Sequence, residues 1–245
     1  MFTITKRAKV VEGSEPVDKR IGTFLKIEVP AGGPLEFGFS NGSRPRSATE
    51  PMTIDWDDGT VESATTLSNV VHGYSRPGAY TVYIDDNLWR FAVSGMDEES
   101  VWRRTYAPMV RELRSNATHL TTLNQYAFAG ATALRKVDLS SSAVSSLNAH
   151  TFDGCTALAS FSAMPEKYHL LSDGVFRNCS ALSGRMYFPG VATISDNAQW
   201  DLPFAGCSAS EIHFAAKNES EIKSTPTYRA HPDLGASNAE MLFDL

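Results

Sequence analysis

One phrase recurs along the second half of this chain, and its spacing constrains the fold more than any other feature. Leu120-x-x-Leu123-x4-Phe128 returns as Val144-x-x-Leu147-x4-Phe152 and as Tyr168-x-x-Leu171-x4-Phe176. Phe128 and Phe152 stand 24 residues apart, as do Phe152 and Phe176, and Phe204 follows after 28. Each opens the same run: Phe-Ala-Gly-Ala-Thr-Ala-Leu, Phe-Asp-Gly-Cys-Thr-Ala-Leu, Phe-Arg-Asn-Cys-Ser-Ala-Leu and Phe-Ala-Gly-Cys-Ser-Ala-Ser. A fixed period of this length predicts a solenoid, in which each unit buries its apolar side only against its neighbours.

Individual repeat positions carry their own physical readings. Two residues after each Phe stand Gly130, Gly154, Asn178 and Gly206. Gly and Asn enter left-handed backbone at least cost, so a sharp turn is expected there. Tyr126–Phe128 and His150–Phe152 would form a short helical turn that this residue ends as a C-cap. The alternation in Leu134-x-x-Val137-x-Leu139, repeated in Leu158-x-x-Phe161-x-Ala163, predicts half-buried strands. Met186 and Phe188, then Ile212 and Phe214, continue the series, and neighbouring copies should lie parallel at about 4.8 Å. The three cysteines of the chain, Cys155, Cys179 and Cys207, occupy one repeat position, which Ala131 fills in the first copy. That substitution points to a small buried apolar side chain. A zinc site needs four ligands in close pairs, and parallel rungs direct side chains badly for a disulfide.

The phrase Leu120…Ala127-Phe128-Ala-Gly-Ala131-Thr-Ala-Leu134 and its later copies resemble the BspA-type leucine-rich repeat. That family occurs on bacterial and protist surfaces and in phage-associated proteins. The resemblance covers about half the chain and implies a non-catalytic protein of adhesion or recognition. Ala131 for Cys, Asn178 for Gly and Ser210 for the final Leu depart from the pattern.

Residues 1–95 have a different texture. Short alternating segments, Thr23–Val29, Leu35–Phe39, Met52–Trp56, Tyr80–Ile84 and Trp89–Val93, stand between Gly, Pro, Asn and Asp clusters and predict a β-sandwich. Ile54-Asp55-Trp56-Asp57-Asp58-Gly59-Thr60, followed by His72-x-Tyr74-x-x-Pro77-Gly78-x-Tyr80-x-Val82, resembles the polycystic-kidney-disease (PKD) type domain. That likeness implies an immunoglobulin-like sandwich serving as a spacer or binding module, with His72 in a structural hydrogen bond. Asp57 stands where a Gly is common. Asp55, Asp57 and Asp58 are the oxygen-rich cluster a calcium site would use, but Asp-Asp-Gly is also an ordinary turn, and no EF-hand spacing follows.

The expected fold is mainly β with short helices: a PKD-like sandwich over 1–95, a connecting and capping segment over 96–109, and a capped leucine-rich-repeat solenoid with a parallel sheet over 110–245. In the connector, Asp97 would cap a short helix, and Trp102 and Tyr106 would cover the first rung near Val110–Leu113. Five extra residues before Phe204 make an inserted loop that contains Trp200, a candidate contact residue. Asn218-Glu-Ser-Glu221 reads as a capping box opening a helix, and Ala239–Leu245 as a final strand.

Chemistry has few footholds. The six histidines show no HExxH or comparable spacing, and no nucleophile elbow, Walker loop or dinucleotide fingerprint is present. No enzyme activity, cofactor or metal is therefore expected. A net charge of −6 argues against general nucleic-acid affinity, and no apolar run is long enough to insert in a membrane. Met1–Lys9 lacks the apolar core of a signal peptide. Binding is the stronger class. Lys136 and Asp138, Ser160 and Ser162, Arg185 and Tyr187, and Glu211 and His213 should face outward as a polar ladder on one extended sheet. Such a face suits a protein or carbohydrate partner on a cell surface. The alternative is a structural or tail-associated component of a phage particle. Composition leaves the oligomeric state and the choice between those locations open.

Overall fold

The computed structural model of the chain describes residues 9–10, 21–39, 44–45, 50–64, 69–94, 105–162, 169–196 and 201–245. Asp97, Trp102 and Trp200 lie outside the described residues. The fold is mainly β with a few short helices and several sheets. The strands are β1 (Lys9–Val10), β2 (Thr23–Val29), β3 (Glu36–Phe39), β4 (Arg44–Pro45), β5 (Met52–Asp55), β6 (Val61–Ala64), β7 (Val70–Gly73), β8 (Gly78–Ile84) and β9 (Leu88–Phe91). They continue with β10 (Val110–Ser115), β11 (Thr122–Leu123), β12 (Lys136–Asp138), β13 (Ser146–Leu147), β14 (Ser160–Phe161), β15 (Leu170–Leu171), β16 (Ser183–Phe188), β17 (Thr193–Ile194), β18 (Ser208–Phe214) and β19 (Glu240–Phe243). Helical turns span Ala107–Met109, Ala216–Asn218, Glu219–Ser224 and Pro226–Ala230.

The repeats build on N-terminal strands. Strand β2 alternates as a half-buried strand must, with Thr23, Leu25, Ile27 and Val29 inward. One edge of β2 pairs antiparallel with β8, and the other pairs antiparallel with β10, the first repeat strand. From β10 the pairing turns parallel, to β12 and then β14, so an eight-stranded sheet runs in the order β1-β6-β5-β8-β2-β10-β12-β14. A second line also starts on an N-terminal strand, but with a parallel seam: β9 pairs parallel with β11 and β11 with β13. Farther on, β15 pairs with β17, and β16-β18-β19 form a three-stranded parallel sheet. Tyr106, expected to cover the first rung, instead packs edge-on against Phe37 and points its hydroxyl at Glu36. The rung edge is covered by β2, whose backbone satisfies the open hydrogen-bonding groups of β10.

Between the two strand lines, the repeat phenylalanines stack. Centroids of Phe128 and Phe152 lie 5.7 Å apart, those of Phe152 and Phe176 5.6 Å, and those of Phe176 and Phe204 5.7 Å, all near parallel. Their amides continue the spine: Phe128 donates to the Thr151 carbonyl, Phe152 to Val175, Phe176 to Pro203 and Phe204 to Leu234. Gly130, Gly154, Asn178 and Gly206 all have positive φ, as their residue types predict. The turn differs from the expected helical one, however. Tyr126, His150 and Gly174, two residues before Phe128, Phe152 and Phe176, are left-handed as well, so these three turns are each bracketed by two such residues. Leu202, before Phe204, is not left-handed. Cys155, Cys179 and Cys207 are buried, and each Sγ donates to the carbonyl of the preceding repeat's Phe. One contiguous apolar core extends from Leu25 to Ala236.

The C-terminal expectations divide. The final strand forms as β19 and pairs parallel with β18. A helix opens at Glu219, but its capping box is not made. Asn218 offers no side-chain cap, and its Nδ2 instead donates to the Val191 carbonyl at 2.9 Å.

Candidate binding surface

The outward residues of the repeat strands fall in two sheets. Lys136, Asp138 and Ser160 belong to the eight-stranded sheet, while Arg185, Tyr187, Glu211 and His213 belong to the three-stranded one. The single extended ladder expected from the sequence is thus broken between β14 and β16. The physical reason is pairing: among the described residues β14 is the last strand of its sheet, and β16 pairs with β18 alone.

On the first face the ladder reaches back beyond the repeats. Glu112 lies between Lys26 and Lys136 in register, and Arg114 between Phe24 and Asp138. Lys26 and Glu112 pair at 2.8 Å, Arg111 and Glu28 at 3.0 Å, and the Arg114 guanidinium stands 4.4 Å from the Phe24 ring centre. The Ser140 hydroxyl holds the Asp138 carboxyl below its ordinary range, against the cost of burial. Ser162 is occupied structurally, accepting from the Leu139 amide at 2.9 Å and donating to Val137. Lys136 and Ser160 are exposed.

On the second face two rows run across β16, β18 and β19. One is Arg185, Glu211 and Glu240, and the other is Tyr187, His213 and Leu242. His213, expected to face solvent, is only 6% exposed. Tyr187 stacks on its ring at 4.8 Å, Glu211 meets its Nε2 at 3.0 Å, and Asp244 meets its Nδ1 at 2.8 Å. Tyr187 itself stays exposed, with Arg185 at its side holding Glu211 through Nε at 2.9 Å. Desolvation opposes charge on Glu211, but Arg185 and His213 hold its carboxyl below the usual range. Sequence reasoning missed Glu240, Leu242 and Asp244. The final strand was legible, but its place beside β18 was not.

Other polar clusters join parts of the fold. Asp86 accepts from the Thr118 and His119 amides, from the Thr118 hydroxyl, and meets His119 Nδ1 at 3.0 Å. Arg177 grips Asp153 with two nitrogens, at 2.7 and 3.2 Å, and reaches Asp201, tying three successive repeats together. Asp153, then burial in the opposite sense, then Asp201 shape its charge, and the net effect holds Arg177 firmly protonated. In the acidic turn, Asp57 is left-handed. Asp55 accepts from the Asp57 amide, Asp58 from Thr60 and Asp57 from Thr81. His72 stacks on the fully buried Trp56 at 4.8 Å and meets Asp58 at 2.8 Å and Glu62 at 3.5 Å. Asp55 and Asp58 thus close local turns, Asp58 also holds His72, and Asp57 ties the turn to β8. Among the described residues, no group of three or more His, Cys, Asp or Glu side chains is placed to hold a metal ion, and no helix is long and apolar enough to cross a membrane.

Comparison with known proteins bears on the repeats. Residues 112–225 match the BspA type leucine rich repeat region, in six copies. The matched residues begin in β10, the strand that β2 pairs with, and end beyond the last phenylalanine turn. Among solved structures, the crystal structure of the T. pallidum leucine rich repeat protein is similar, at 16% identity and a TM-score of 0.38, over 64% of this chain and 70% of that one. No curated protein matches.

Proposed function

We propose that the chain is a non-catalytic recognition protein whose BspA-type repeats form a capped solenoid over residues 110–245. On this reading a PKD-like sandwich over 1–95, with the 96–109 segment between, serves as the N-terminal cap and support. The partner is a protein or glycan on a cell surface, met by the outward rows of the repeat sheets. The observation that carries the reading is the second face: an exposed Tyr187 and Arg185 held in fixed positions by His213 and Glu211. Exposed aromatic and Arg side chains dominate binding energies, and groups already ordered lose less entropy on binding.

The test is a screen of the intact chain against glycan and surface-protein arrays, with Tyr187→Ala/Arg185→Ala alongside. Saturable binding lost in the double variant supports the reading and its site. Binding kept in the variant moves the contact to Lys136, Asp138, Ser160 and their N-terminal neighbours, or to the Trp200 loop. Absence of binding, with a multimer in solution, would favour the phage-particle alternative.

A further inference from the structure

The two rows of the three-stranded sheet differ in chemistry. Tyr187, His213 and Leu242 form an aromatic and apolar row, and Arg185, Glu211 and Glu240 form a charged row beside it. A pyranose ring has the same division, with an apolar C–H face and a rim of hydroxyls. Tyr187 offers one ring face outward because the other is braced on His213, and that imidazole is fixed at both nitrogens. The charged row supplies opposite hydrogen-bonding capacities. Arg185 is mostly exposed and can only donate, whereas Glu240 is exposed and can only accept. A hydroxyl answers both.

Charge narrows the guest further. Arg185 and Glu211 neutralise each other, so an anionic group would meet the remaining carboxylates of Glu240 and Asp244. A cationic one, though drawn to those carboxylates, would stand against the Arg185 guanidinium where it stacks on Tyr187. A partner without net charge meets neither repulsion. We infer that this face is a carbohydrate subsite that takes a pyranose of a neutral glycan, stacked on Tyr187 with its hydroxyls bonded by Arg185 and Glu240. The inference rests on the recognition reading above and names its ligand class.

The experiment is an array of neutral, anionic and cationic glycans and basic peptides, followed by calorimetry on the best neutral glycan. Tyr187→Ala should weaken binding about tenfold or more, as expected for an aromatic anchor, and Tyr187→Phe should stay within about threefold of wild type. Arg185→Ala should weaken it about tenfold or more, the loss of a hydrogen bond from a charged donor, and Glu240→Gln, which keeps a neutral acceptor, about three- to tenfold. Lys136→Ala, on the other sheet, should change nothing. Because Tyr187 also shields His213, circular dichroism accompanies each variant. If Tyr187→Ala misfolds, the Arg185 and Glu240 variants decide. Neutral binding should be nearly independent of salt. Binding confined to charged glycans or basic peptides, or weakened steeply by salt, overturns the inference. So does neutral binding that Tyr187→Ala, Arg185→Ala and Glu240→Gln all leave intact. A surface protein bound through Tyr187 and Arg185, with no glycan bound, overturns the carbohydrate subsite but supports recognition. No binding of any kind sinks both.

Discussion

Phe152→Ala tests whether the phenylalanine spine carries the repeats. Phe152 is fully buried, stacks between Phe128 and Phe176, and meets Phe161 edge-on at 5.7 Å. Burying a phenylalanine removes on the order of 150–250 Å² from water, worth about 4–6 kcal/mol at about 25 cal/mol per Å². Alanine keeps part of that, and large-to-small changes at such sites cost about 3–5 kcal/mol. A domain's whole stability is about 5–15 kcal/mol, so this is a large fraction. With an m-value of about 3 kcal/mol/M, the urea midpoint should fall by about 1–1.7 M. Leu170→Ala, at an exposed position, should move it by less than about 0.2 M. Equilibrium urea unfolding followed by circular dichroism measures both. A Phe152→Ala shift below about 0.3 M would show that the spine is not the source of cohesion.

Three further outcomes are expected. Burial opposes charge on His72, but Glu62 and Asp58 raise its pKa, while Asp58 is itself held low, chiefly by His72 working against burial. The stabilisation from His72 is therefore full below the ordinary histidine value and fades as pH rises through the raised one; that from Asp58 fades as pH falls through its lowered value. In urea titrations from pH 5 to 9, the advantage of wild type over His72→Gln should shrink with rising pH, and a constant difference would contradict the ion pair. At Gly174, with φ of 50° and an added Cβ only 2.5 Å from His150 Nδ1, Gly174→Ala should cost at least about 2 kcal/mol, whereas Asn178→Gly should stay within about 0.5 kcal/mol. Equal thermal shifts for the two would remove the argument from backbone handedness. Burial pushes the Cys179 thiol up, and Cys207 is raised by the Cys179 hydrogen bond together with burial. Ellman's reagent should therefore leave all three cysteines unlabelled in the native protein and label all three in denaturant; rapid native labelling would contradict the buried ladder.

Local chemistry was legible in the sequence wherever one residue type answers one geometric demand. The recurring Phe announced a repeating unit with a buried apolar side, though not that the rings stack, and Gly or Asn at 130, 154, 178 and 206 announced left-handed backbone. The alternation in Thr23–Val29 and near Glu240–Phe243 announced strands. None of those signals names a partner. Alternation says which side chains are buried but not which strand lies alongside, so the antiparallel β2–β10 seam and the break between β14 and β16 appear only in the tertiary structure. The same holds for side chains that compete for distant groups. Asn218 had the sequence of a cap, but the Val191 carbonyl claims its amide. Tyr126 and His150 stack ring on ring at 4.7 Å, and both hold left-handed backbone, which is uncommon outside glycine and which nothing at Tyr126 announces. His213 sits at an outward position, yet Tyr187 from one strand and Asp244 from beyond the last strand enclose it. Periodicity follows from the chain's own geometry; pairing and enclosure arise from contacts between residues far apart in sequence, and there the fold decides.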